Sequence, residues 1–133
     1  MKTDDKLEKT HILGKIDIAS LETEFGRIQT DEIIITAERL SHIIKQHPQD
    51  FLLFKQNVAN IIKSPDFILK DIKHSGTVFM IKSMTDTNLN VVVRVALVTD
   101  VEGLKNSVMT CYRIRDSNLK KLIKKNKLIY KKE

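Results

Sequence analysis

The sequence predicts an α+β fold: N-terminal helices packed on a four-stranded antiparallel sheet, with a basic C-terminal helix, in a single domain over residues 1–133. Three observations lead there. Apolar residues recur at helical spacing between Thr36 and Ser64, the period falls to 2 after Pro65, and the chain closes on a lysine-rich segment with one apolar stripe. With 133 residues, 41% of them hydrophobic, the chain can bury one core without disulfides.

In chain order, THILGKID (residues 10–17) alternates enough for a short strand, and ASLETEFGRIQTD is a connecting loop or short helix. Residues 1–32 are thus an N-terminal strand and connecting segment, with no role assigned. A helix opens at Thr36, whose hydroxyl can accept from the free amides of the first turn, with Glu38 near the positive end of the dipole. Leu40, Ile43 and Ile44 form its apolar stripe. Pro48 cannot continue that helix but suits the first turn of another, in which Phe51, Phe54, Val58, Ile61 and Ile62 repeat until Ser64 and Pro65. DFILKDIK, TVFMIKSM, LNVVVRVALV and NSVMTCYRI then read as strands of an antiparallel meander, separated by HSG, TDTN and TDVEG. Val91 to Val98 is apolar on both faces apart from Arg94, as in an inner strand. Asp116 or Ser117 can cap the last helix, with Leu119, Leu122 and Ile123 inward and Lys120, Lys121, Lys124 and Lys125 outward.

Net charge is +6, unevenly spread. Residues 1–50 carry ten acids against seven bases, whereas residues 51–133 carry sixteen bases against seven acids. Nine of the twenty-one residues from 113 to 133 are Lys or Arg, which suits a polyanion or an acidic protein. The plainer reading is a solvated helix face. The N-terminus lacks the apolar run of a secretion signal, and no stretch approaches the roughly 18 residues that span a bilayer. A cytoplasmic protein, without membrane contact, is the expectation.

The chemistry narrows by elimination. The only cysteine, Cys111, lies in a predicted strand and reads as a small buried hydrophobe. There is no GxSxG elbow, no GxxxxGK[ST] loop and no GxGxxG turn. His42 and His47 are five apart, not the four that puts two ligands on one helix face, and no CxxC completes a shell, so neither a metal nor another cofactor is expected. On a wheel of about 100° per residue from His42, the apolar stripe falls between roughly 100° and 200° and His47 near 140°. His47 therefore continues the apolar stripe, while His42 lies with Arg39 and Gln46 on the polar side. The bland readings are a packed or capping His47 and a surface His42.

Histidine, lysine and hydroxyl side chains in a cationic half suit RNA cleavage, where the substrate supplies its own 2′-hydroxyl nucleophile and the protein moves protons and meets phosphate charge. His42 or His47 is the candidate base, with Lys82, Ser107 and Thr110 as candidate phosphate ligands around one hollow. In a regular strand Ser107 and Thr110 face opposite ways, so their cooperation requires a turn or a bulge between them. Arg39, Lys105, Tyr112, Arg113, Arg115, Lys120 and Lys124 are candidate nucleic-acid contacts.

The succession ITAERLSHIIKQHP, IIKSPDFI, TVFMIKSM, KNSVMTCYRIR and LKKLIKKNKLIYK resembles the phage nuclease families of the barnase, EndoU, colicin and RelE-like fold, from about residue 33 onward. The resemblance rests on the spaced HIxxxHP and NSxxT elements. It implies a metal-independent endoribonuclease, phage- or prophage-linked or used as a toxin, with RNA as substrate and an immunity or antitoxin protein as neutralising partner. It matches His42 and His47 to the family's histidine element and Ser107 and Thr110 to its Ser/Thr element, with Lys82 the looser match. It also puts the active site on the sheet face away from the main helices. Two other readings stand beside it: a non-catalytic nucleic-acid-binding module on the same basic surface, and a virion-associated structural part.

Overall fold

The computed structural model describes residues 10–133, so the part of the N-terminal segment before Thr10 lies outside the described residues. The elements run β1 (His11–Lys15), α1 (Ile18–Phe25), β2 (Glu32–Ile35), α2 (Ala37–Gln46), α3 (Pro48–Lys63), β3 (Phe67–Lys70), β4 (Thr77–Ser83), β5 (Asn88–Arg94), β6 (Asn106–Ile114), α4 (Asp116–Lys125) and β7 (Lys127–Lys131).

The predicted architecture needs correction. The sheet is not four-stranded and antiparallel but seven-stranded and mixed, in the order β1-β2-β6-β5-β4-β3-β7, and the four helices among the described residues are interspersed with strands instead of gathered at the N-terminus. The four runs read from their period of 2 are β3 to β6, consecutive antiparallel neighbours in the middle of that sheet. The strands that the sequence hid are β2 and β7. EIII is four residues abutting a helix cap, too short to show alternation, yet it pairs in parallel with β6 through Ile33↔Asn106 and Ile34↔Ser107. KLIYK reads as more lysine-rich helix, but Asn126 ends α4 by donating to the Leu122 carbonyl from both its backbone N–H and its side chain, each at 3.0 Å. The chain then pairs with β3.

Two smaller expectations change as well. Arg115, not Asp116 or Ser117, is the N-cap of α4 and makes no side-chain cap bond; Asp116 instead accepts from Asn88 Nδ2 at 2.8 Å. Ile44 is 44% exposed and outside the apolar stripe of α2. The inner strand β5 ends at Arg94, before the apolar run does, and Leu97 forms only an isolated bridge with Ile28.

Thr36 does cap α2, accepting from the Arg39 amide at 3.2 Å, and Pro48 occupies the first turn of α3. Phe54, Val58, Ile61 and Ile62 of α3 and Ile43 of α2 are buried against Val78, Met80, Leu89, Val91, Val93, Val108 and Cys111 of the sheet. Full burial of such side chains contributes roughly 1.5 to 3 kcal/mol each, so this face holds most of the cohesion. On the other face α4 crosses from β6 to the edge at β7, and Leu119, with Leu122 and Ile123 beside it, packs on Leu69, Phe79, Ile81, Val92 and Ile114.

Register decides which side chains share a face, because directly opposed residues in an antiparallel pair point the same way. Thr110 opposes Val92, but Val108 opposes Val93, so Met109 is an extra residue bulged out of β6. Past the bulge, Ser107 (opposite Arg94) and Thr110 (opposite Val92) lie on one face, the face covered in part by α4. Lys82 and Arg113 both oppose Leu89 from its two sides and form one row across the face covered by α2 and α3.

Candidate active site

His47 occupies the joint between the two long helices. Its N–H closes α2 on the Ile43 carbonyl at 2.8 Å, and its own carbonyl starts α3 by accepting from Phe51 at 2.9 Å. Pro48 follows and begins α3, and the imidazole stands at the rim of β6, where its ring centroid lies 6.2 Å from that of Tyr112.

Asp50 belongs to the first turn of α3, where the helix dipole favours a carboxylate. It is 9% exposed and stands three residues after His47, with Oδ2 3.7 Å from His47 Nδ1, too long for a hydrogen bond. Its two oxygens also receive Arg113: the backbone N–H at 3.3 Å and Nε at 2.5 Å. Gln49 Oε1 accepts from the same guanidinium at 3.3 Å. The backbone contact has a cause in the sheet. Since β2 pairs with β6 only through Asn106 and Ser107, the later rungs of that edge lack a strand partner among the described residues, and Asp50 supplies an acceptor there. One buried carboxylate thus ties the helix start, the sheet edge, an arginine and an imidazole together.

Behind this joint opens a cavity of about 1050 Å³, walled by Asp50, Asn57 and Asn60 of α3 on one side and by Lys82, Arg113 and Arg115 on the other. It lies on the face covered by α2 and α3, since Lys82 and Arg113 share the Leu89 row.

The five candidate catalytic residues do not converge on one hollow. His47 sits at the rim of β6. His42 is exposed on α2 and makes no side-chain hydrogen bond or ion pair with any described residue. Lys82, 16% exposed at its side chain, donates to the Ser64 carbonyl at 2.7 Å and lies 3.8 Å from Asp66, holding the C-terminus of α3. Ser107 and Thr110 share the opposite face; Ser107 Oγ donates to the Lys105 carbonyl at 3.4 Å, and Thr110 Oγ1 is buried with no partner. The only other orphaned buried side-chain atoms among the described residues are both polar atoms of Asn90, which opposes Tyr112 on Thr110's face.

Of the candidate nucleic-acid contacts, Tyr112 stands beside His47, and Arg113 and Arg115 reach the cavity. Arg39 lies half-buried on α2, remote in sequence from that wall. Lys105 is paired with Glu32 at 2.8 Å, which holds the Glu32 carboxyl below its ordinary range. Lys120 and Lys124 are exposed on α4 without ion pairs among the described residues. Burial, aided by the nearby Asp50 charge, pushes the Cys111 thiol up to about 12, which leaves it without thiolate at neutral pH and unsuited to be a nucleophile. No group of three or more His, Cys, Asp or Glu side chains gathers as a metal shell among the described residues, and no helix there is long and apolar enough to cross a membrane.

Sequence reasoning missed Asp50, Asn57, Asn60 and Asn90. HPQD held the signal for Asp50, a carboxylate three residues past a histidine in a helix's first turn; the asparagines gave none without the fold.

A family model described as phage-Barnase-EndoU-ColicinE5/D-RelE like nuclease3 matches residues 10–121. Comparison with curated proteins and with solved structures finds no match.

Proposed function

The chain belongs to the phage-Barnase-EndoU-ColicinE5/D-RelE like nuclease3 family, and from that premise we propose that it is a metal-independent endoribonuclease whose proton-moving group is His47. The observation that carries this reading is the placement of His47 at the rim of β6, its Nδ1 turned to the buried carboxylate of Asp50. With Nδ1 turned toward Asp50, Nε2 is the ring nitrogen left to the substrate.

In this reading Nε2 removes the proton of a ribose 2′-hydroxyl. The 2′-oxygen forms a bond to the adjacent phosphorus, the bond from phosphorus to the 5′-oxygen breaks, and the departing oxygen takes a proton from solvent at the open rim. A 2′,3′-cyclic phosphate and a 5′-hydroxyl result. Arg113 and Arg115 meet the charge that builds on the phosphate oxygens, Arg113 being held in place by Asp50 and Gln49. Lys82, engaged with Ser64 and Asp66, adds positive potential to the cavity wall. Tyr112, beside the imidazole, offers a ring against which a base can stack. A neutralising immunity or antitoxin protein that covers this cationic wall is the partner the reading calls for.

The test is incubation of purified protein with total RNA in a chelator, with the product ends identified. Cyclic phosphate ends are expected, with a loss of about 10² to 10⁴ in rate for His47→Ala and retained turnover for His42→Ala. Undiminished cleavage by His47→Ala overturns the assignment. Retention of RNA on the wild-type protein without any cleavage would instead make the domain a binding module.

A further inference from the structure

The cavity beside His47 holds chemistry that proton transfer does not use. None of the residues lining it is aromatic, so nucleotides within it cannot be held by the sequence-tolerant stacking that single-strand binders rely on. Its walls offer cations and amides instead. Asp50, Leu53, Asn57 and Asn60 fall three or four residues apart and form one stripe of α3 that faces the β4–β5 turn. Asn57 Nδ2 donates to the Leu53 carbonyl at 2.8 Å, which fixes the amide and leaves Oδ1 as an acceptor in the cavity. Asn60 is exposed, and no described residue engages its side chain, so both its donor and its acceptor are free. The Arg115 side chain is likewise unengaged by described residues.

Arg115 also lines a second cavity of about 450 Å³, which shares the turn residues from Ser83 to Thr87 and extends to Asp116. The two hollows therefore make one trough, from Asp50 next to His47, past both arginines, to the turn. A trough walled by a helix and a hairpin admits one strand, whereas an A-form duplex is gripped by its shape across a broad surface.

We infer that this trough binds single-stranded RNA through the cut, with the scissile phosphate and its neighbour at Arg113 and Arg115 and the flanking bases read by Asn57 and Asn60. Adenine is the base that fits Asn60, because a free carboxamide meets the N7 acceptor and N6 donor of adenine with two hydrogen bonds. The inference rests on the ribonuclease reading and adds to it a strand type and a base preference.

Binding to oligoribonucleotides carrying a 2′-O-methyl at every position tests it, because such strands lack the nucleophile and cannot be cut. Fluorescence anisotropy at low salt is expected to rank single-stranded oligo(A) about 5- to 100-fold tighter than oligo(U), with an A·U duplex weakest. Asn60→Ala and Asn60→Asp should both bring oligo(A) down to the oligo(U) level. Arg115→Ala should weaken both strands alike and reduce the salt slope by about 1. Equal binding of duplex and single strand, or an A-over-U ratio untouched by both Asn60 variants, overturns the inference. Cleavage of unmodified RNA is scored separately, so a failed ribonuclease reading and a failed trough give different results.

Discussion

Replacing Asp50 probes the joint on which the site depends. Asp50→Asn keeps the shape and one acceptor oxygen but removes the charge that receives Arg113 at 2.5 Å and faces His47 at 3.7 Å. A hydrogen bond to a charged group contributes about 1.5 to 3 kcal/mol. The Asp50 side chain is only 12% exposed, but that of Arg113 is 46% exposed and can recover water, so the lower part of that range applies, about 2 kcal/mol. Asp50→Ala also strips the acceptor from the Arg113 backbone N–H at the open edge of β6, which raises the loss to about 3 kcal/mol. Urea unfolding with an unchanged m-value measures both losses. Cleavage assayed well below the transition should fall for Asp50→Asn beyond what the unfolded fraction explains, because the imidazole loses its carboxylate. The Cys111 thiol adds an independent reading: burial still holds its pKa up, but with the Asp50 charge gone it should titrate lower than in the wild type. A stability loss under about 0.5 kcal/mol together with full cleavage would refute the idea that Asp50 organises the site.

Three further outcomes are expected. Asn106 is fully buried and bonds the Thr30 and Glu32 carbonyls and the Ala96 amide, so Asn106→Ala should cost about 3 kcal/mol in urea unfolding, at roughly 1 per bond, and a loss under 1 would contradict that role. Asn90 buries an amide without partners among the described residues, so Asn90→Leu should raise stability by about 1 to 3 kcal/mol; a clear loss would mean that the amide has a partner in solution. Cys111 should resist iodoacetamide at pH 8 until the protein unfolds. Its folded pKa, about 12, lies above the ordinary 9.0, so the stabilisation it gives is complete below pH 9 and is lost as pH climbs from 9 toward 12; rapid labelling of native protein would contradict its burial.

The middle of the sheet and the paired helices were legible because their signals are local. Thr36 as a cap, Pro48 as a helix start and the β-rich run TVFMIKS each follow from a few neighbouring residues. What the sequence concealed depends on distant pairing. EIII becomes a strand only because Asn106 and Ser107 lie alongside it, and KLIYK only because β3 has a free edge for it. The site divides in the same way. The sequence offers His47 only as one of two candidate bases beside His42, and the bond between Asp50 and Arg113 joins residues 63 positions apart and has no sequence signature. Lys82 looked like a lone strand cation with phosphate to bind; in the fold it has the end of α3 to hold.

The single extra residue in β6 carries a consequence for insertions and deletions. Met109 lets the strand keep two requirements that a regular alternation would set against each other: Asn106 must point at the carbonyls of Thr30 and Glu32, and Arg113 must point at Asp50. Remove one residue between them and half of the strand has to turn over, so that one of those two anchors faces the wrong layer. The count of residues from 106 to 113 is therefore under tighter constraint than the identity of residue 109, and a change of length there should be far more damaging than any exchange of Met109 for another apolar side chain.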